Sequence, residues 1–282
     1  HKDKMQYSSA NITLNTNSGG TFKLSSAEGG AGIGGYDDNM PRAWEEVWDA
    51  GIATSAKMQK GVGSSTNISW TTPTVAGTKI QLAYAPDNDG VQNNNKAVSG
   101  DANNDKGQGW DLVIDTGTAD GAINLFVGGS RTELAKVKTG RDLSGDHEEA
   151  VVGLQFKFGP VALGGQISGE RLRTRALNTA EYYGNSSWGI AFNVNDDLSV
   201  SYSEARHLMT KTHKANQDRL SKTFNVNEYT PKSWMRGDSI QVAYTIGGVA
   251  LKYAQTSYDN TLFTFDAKVP RESQIVAVSL AF

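Results

Sequence analysis

The sequence predicts an all-β fold, a transmembrane antiparallel β-barrel, and three observations carry that expectation. Apolar residues recur at every second position over stretches of about eight to ten residues, from one end of the chain to the other. The connections between those stretches alternate short and long without a break. No run of about 18 apolar residues occurs, so a membrane crossing by helices is excluded.

The alternation defines thirteen strand-like segments. Their anchors are Ile12 and Leu14; Phe22 and Leu24; Ile68 and Trp70; Ile80, Leu82 and Tyr84; Trp110, Leu112 and Ile114; Ile123, Leu125 and Val127. Seven more follow at Val152 to Phe158, Val161 to Ile167, Trp188 to Val194, Leu198 to Tyr202, Ile240 to Ile246, Val249 to Tyr253 and Val276 to Phe282. Adjacent strand residues point to opposite sides, so two faces follow. Leu154, Phe156, Leu163, Ile167, Ile190, Phe192, Val242, Tyr244 and Leu251 are expected to face lipid. Gln155, Lys157, Gln166, Asn193, Gln241 and Lys252 are expected to face a wet lumen.

The short connections are NTNSGG, TTPTVAG, TGTADG, FGPV, NVNDD and TIGGV; the long ones are 27 to 66, 86 to 108, 131 to 147, 170 to 186, 205 to 236 and 259 to 272. Tight turns on one side and long polar loops on the other are the habit of an outer-membrane barrel, and a soluble sandwich has no reason to keep it. Aromatics agree: Trp70 and Phe158 stand beside short turns, and Trp110, Tyr182, Tyr183, Trp188 and Tyr258 beside long loops, as two interfacial girdles would. Composition is compatible with this, because strands that alternate apolar and polar residues are hydrophilic on average. The 27 basic and 30 acidic residues balance, which excludes a basic nucleic-acid binder, and the absence of Cys excludes a disulfide scaffold.

Other motifs carry less. Gly30, Gly32 and Gly35 have the spacing of a dinucleotide fingerprint, but hairpins follow instead of the parallel strand that motif needs. They are better suited to folding a loop tightly. Asp87, Asp89 and Gly90 hint at a calcium loop, yet Val98 stands where the bidentate Glu belongs, so at most a loosely bound surface calcium is expected and no other cofactor. His1, His147, His207 and His213 lack metal spacing, and Ser144 with His147 or Ser203 with His207 reads as ordinary polarity.

Two segments give a resemblance. The last, SQIVAVSLAF, places Val276, Val278, Leu280 and Phe282 on one strand face, and looks like the terminal signature that barrel-insertion machinery recognises. Residues 10 to 51 read as a hairpin, ANITLNTNSGGTFKLSS, followed by the glycine-rich EGGAGIGGYDDNMPRAWEEVWDAG. This resembles the fourth and fifth strands and the inward-folded constriction loop of Gram-negative general diffusion porins, particularly the alphaproteobacterial ones. The resemblance implies a single barrel domain over 1 to 282 with about sixteen strands in the full protein and a constriction loop at about 27 to 64 carrying a short helix. It also implies a homotrimer in the bacterial outer membrane, contacts with lipid and lipopolysaccharide, passive diffusion of small hydrophilic solutes, and no enzymatic activity. Thirteen strands is an odd count. Either three strands precede His1, which restores the family number, or a strand within 210 to 230 escapes the pattern. A substrate-selective channel is the first competing expectation, and a barrel enzyme or a soluble β-rich adhesin the next.

The candidate site residues are the charges of that loop. Glu28, Asp37, Asp38, Glu45, Glu46 and Asp49 against the single Arg42 leave a net charge of −5 over 27 to 50. Pro41 suits a first helical turn; Trp44, Val47 and Trp48 share one helix face expected on the barrel wall, and Glu45 and Asp49 share another that looks into the channel. Lys23, Lys79, Lys157 and Lys252 are the candidate basic residues of the opposite wall, and mild cation preference is expected.

Overall fold

Wherever apolar and polar residues alternate, the backbone is extended. Among the described residues thirteen strands result: β1 (Ala10–Thr16), β2 (Gly20–Ser26), β3 (Asn67–Thr71), β4 (Thr78–Ala85), β5 (Lys106–Gly117), β6 (Ile123–Leu134), β7 (His147–Phe158), β8 (Val161–Arg171), β9 (Ala180–Asn193), β10 (Leu198–Lys211), β11 (Lys232–Ile246), β12 (Val249–Tyr258) and β13 (Arg271–Leu280). The computed structural model describes residues 9–26, 28–86, 106–134, 146–172, 179–211, 232–264 and 268–280. Each strand is hydrogen-bonded to the next in chain order, from β1 to β13. The pairing is antiparallel, with registers such as Ile12 opposite Leu24 and Val242 opposite Tyr253. Because the side-chain period is two, these registers bring apolar residues together on one face and polar residues on the other.

The faces are inverted relative to a water-soluble protein. Ile12 and Val276 are each 72 % exposed and Ile167 62 %, with Leu163, Ile190 and Leu251 exposed alongside them, while Gln166, Ser201, Ser239 and Gln241 are buried. A soluble sheet buries the first set and wets the second. No helix among the described residues is long and apolar enough to cross a membrane.

The chain divides into two compact units. The first comprises His1–Asp37, Gln59–Thr116 and Phe126–Val151; the second comprises Asp38–Met58, Gly117–Leu125 and Val152–Phe282. Each has its core on the polar-phase face of its strands, where a piece of the segment 28 to 66 covers them. In the first, Ile33 and Tyr36 pack on Val113, Phe126 and Val151, and Ala31 and Val62 on Ala83 and Ala85. In the second, Val47 and Ile52 pack on Tyr183, Ala205, Met209, Met235, Tyr258 and Phe263.

Two expectations shift. Strands run further toward the long connections than periodicity indicates: β9 begins at Ala180, β10 continues to Lys211 and β11 begins at Lys232, so Tyr183, Asn185 and His207 are wall residues. Apolar alternation fades there because the residues of the opposite phase become polar, while the ladder hydrogen bonds continue. The segment after Pro41 is not helical either. It is a run of bends closed by Asp49 N and Ala50 N donating to Glu46 O at 3.0 and 2.9 Å, and the helical turn of this loop is a 3₁₀ turn at Gly32–Tyr36. Ala43, Trp44 and Glu45 spend their backbone N–H groups on wall side chains, which compete with a helical ladder.

Candidate functional site

In the first unit, strand carboxylates hold the loop by its backbone. Asp111 on β5 accepts from Ile33 N at 3.1 Å and from Val62 N at 3.1 Å, and Glu149 on β7 accepts from Lys60 N at 3.0 Å and Gly61 N at 2.5 Å. Gly32 and Gly61 have φ of +57° and +56°, and a Cβ on either would stand 2.0 or 2.1 Å from Asp111 Oδ2. Only glycine supplies both the left-handed backbone and the room for a carboxylate. Tyr36 donates its hydroxyl to Asp115 Oδ2 at 2.9 Å, and burial, reinforced by the Asp115 charge, pushes that phenol far above its ordinary range.

In the second unit the loop is gripped by amides and hydroxyls. Gln241 on β11, fully buried, accepts from Trp44 N and Glu45 N at 3.0 Å each and donates to Glu45 O at 2.6 Å. Ala43 N donates to Ser201 Oγ at 2.9 Å, Gln155 donates to Asn39 O, and Asn185 donates to Lys57 O at 2.7 Å. Pro41 fits against Gly164 and Gly189, where an added Cβ would stand 2.8 Å from Pro41 Cδ and 2.3 Å from Pro41 O. His207 is satisfied inside this contact: Nδ1 pairs with Asn185 Oδ1 at 2.8 Å, Nε2 with Tyr258 Oη at 3.3 Å, and the Trp48 ring meets it edge-on at 5.7 Å. Since Asn185 turns its NH₂ to Lys57 O, its oxygen accepts and the Nδ1–H tautomer is assigned.

The charges predicted from sequence pair more than they confront. Arg42 binds Asp38 at 3.1 Å and also Glu46. Burial, set against the pull of Arg42, pushes the Glu46 carboxyl above the usual carboxylate range. Lys23 meets Glu28 at 2.9 Å, Lys79 meets Asp115 at 3.1 Å, and Lys252 lies over the Trp44 ring at 5.9 Å. Lys157 is exposed at the short-turn end of β7. Asp37 and Glu45 are half-buried, and Asp49 is exposed. Trp44, Val47 and Trp48 do turn toward strands, as expected. Val276, Val278 and Leu280 share one exposed face; Phe282 lies outside the described residues, as do Asp87, Asp89 and Gly90.

Polar lining on the loop-bearing face and exposed apolar residues on the other together match one kind of known structure. The fold is that of the outer-membrane porins. The anion-selective porin of Comamonas acidovorans superposes over 96 % of this chain and 76 % of its own, with a TM-score of 0.57 and 16 % identity. A trimer form of OmpT, an outer membrane protein of Vibrio cholerae, gives 0.53 at 10 % identity over 95 % and 76 %. The outer membrane channel DcaP of Acinetobacter baumannii gives 0.51 at 12 % identity over 96 % and 83 %. No family model matches the chain, and no curated protein matches it. Set in this porin fold, Asp111, Glu149 and Asn185 are residues that sequence reasoning passed over, while Gln241, expected to face the lumen, and His207, taken as ordinary polarity, were not read as loop contacts. The available signal was a carboxylate or amide in the polar phase of a strand, repeated on several strands beside a loop rich in glycine.

Proposed function

We propose that the protein is a bacterial outer-membrane porin: one β-barrel domain, assembled as a homotrimer, through whose water-filled lumen small hydrophilic solutes and ions diffuse passively. It performs no chemistry. The inverted polarity of the strands carries the reading, since an apolar outer face and a polar inner one suit lipid outside and water inside. The porin fold supports it, as does the loop segment fastened to the polar face. Lipid and lipopolysaccharide surround the barrel, and its insertion machinery reads the last strand through Val276, Val278, Leu280 and Phe282.

The segment 27 to 64 forms the constriction. Glu28 is offset by Lys23, and Arg42, shared between Asp38 and Glu46, offsets one charge of that pair. Glu45 and Asp49 therefore dominate the field, and the pore prefers cations mildly at low salt, less as salt screens it. Planar-bilayer recording tests this: ohmic steps are expected, and Glu45→Gln with Asp49→Asn should shift the zero-current potential in a salt gradient toward anions. An unchanged potential removes the segment from the constriction, and no steps from folded protein rules out the pore.

A further inference from the structure

The exposed face is not apolar throughout. Tyr202, Glu204, Arg206 and Leu208 of β10 alternate onto it, opposite Ile190, Trp188, Ser186 and Gly184 of β9 and Ile240, Asp238, Arg236 and Trp234 of β11. Arg206 and Arg236 stand directly opposite each other with side chains 53 and 58 % exposed. Both reach one atom, Glu204 Oε1: Arg206 through Nε at 2.9 Å and Nη2 at 2.8 Å, Arg236 through Nε at 3.0 Å. Asp238, on the short-turn side, accepts from Ser257 Oγ at 3.2 Å. Glu204 is the anion between the two arginines, and because one carboxylate oxygen engages only part of two guanidinium forks, N–H groups of both remain to donate elsewhere.

Beside Arg206 runs a groove of about 500 Å³ across β7 to β10, lined by Leu154, Gly165, Ile167, Ser186, Trp188 and Glu204 among others. The groove ends at Arg206 with the Glu204 carboxylate beside it, and suits an amphiphile whose anionic head reaches past Glu204 to the exposed guanidinium N–H groups of Arg206 and Arg236. Trp188 and Trp234, exposed on either side of the arginine row, suit the level where headgroups begin. The row also lies in the long-loop half of β10 and β11, beyond the apolar residues Leu198, Val200, Ile240 and Val242.

We propose that Arg206 and Arg236 bind the phosphate of an anionic lipid headgroup, with an acyl chain in the adjoining groove. Planar forks match phosphate oxygens two at a time, and the N–H groups that Glu204 does not engage are exposed to receive them. The site rests on the porin reading, which supplies the membrane.

Native mass spectrometry of the full chain in mild detergent, incubated with phosphatidylglycerol or phosphatidylcholine, tests it. Phosphatidylglycerol should be retained at one molecule per protomer, about tenfold over phosphatidylcholine, the ratio expected for a few charge-assisted bonds. Retention should fall to the phosphatidylcholine level in Arg206→Gln/Arg236→Gln. It should fall equally when Glu204→Gln is added, a variant that leaves no orphaned carboxylate to impair folding. Equal retention of the two lipids by the unaltered protein, or equal phosphatidylglycerol in protein and variants, overturns the site. Loss of oligomers with lipid unchanged assigns the face to a second copy and overturns it too. Unit conductance should be unaltered in both variants, because these charges lie on the face opposite the loop. Conducting channels without a lipid difference sink this site alone, whereas no conductance from the unaltered protein sinks the porin reading with it.

Discussion

Replacing Gln241 by Leu keeps the volume of the side chain and deletes its grip on the loop. Three bonds to loop backbone disappear, those from Trp44 N and Glu45 N and that to Glu45 O. At about 0.5 to 1.5 kcal/mol net each, the loss is about 2 to 4 kcal/mol. The rest of the segment stays in place, since Val47 and Ile52 remain in their cluster and Asn185 still holds Lys57 O. The change is therefore a local release of residues 43 to 46. Its population rises roughly 30- to 700-fold, because each 1.4 kcal/mol is a factor of ten. Hydrogen exchange reads this directly, since the Trp44 and Glu45 amides are the donors set free; their exchange should accelerate by that factor while the amides of β11 stay protected. Single-channel current through the variant should be noisier at the same salt. Gln255→Leu, on the exposed face, serves as the control. Unchanged exchange at Trp44 and Glu45 in folded Gln241→Leu protein would refute the claim that this side chain holds the loop.

Leu154→Arg places a cation on the exposed apolar face and should cost about 2 to 4 kcal/mol in urea unfolding from lipid vesicles. Ser199→Arg, in the opposite phase, should change stability by less than about 1 kcal/mol, and equal damage from both would show that the faces are misassigned. Gly61→Ala forces a Cβ to within 2.1 Å of Asp111 Oδ2 at a φ of +56° and should lose about 2 to 4 kcal/mol by the same measurement. Gly29→Ala, with open space around it, should stay within about 0.5 kcal/mol, and a neutral Gly61→Ala would dissolve the carboxylate cradle.

Much of the fold is legible in the sequence because a strand exposed on one side to an apolar medium must alternate, and that pattern is written one residue at a time. The thirteen anchored segments from Ile12 to Val276 fall on the thirteen strands of the described residues, and the phase that separates Leu163 from Gln166 or Ile240 from Gln241 is the phase of exposure and burial. Strand ends are less legible. His207 and Tyr183 sit where the apolar signal has faded, and only ladder hydrogen bonds to β9 and β11 make them wall.

By itself the sequence determined the class of the fold, the order of its strands and the acidic character of the loop, all properties of residues close together along the chain. Only the tertiary structure decided what fastens that loop. Asp111 reaches Ile33 and Val62 from 78 and 49 positions away, and Gln241 reaches Trp44 from 197. It also decided which charges meet across strands, as Lys79 on β4 meets Asp115 on β5 at 3.1 Å. The holds of Asp111 and Gln241 depend on which strand side chains the antiparallel registers turn toward the loop, and a one-residue slip would send either of them to the opposite face.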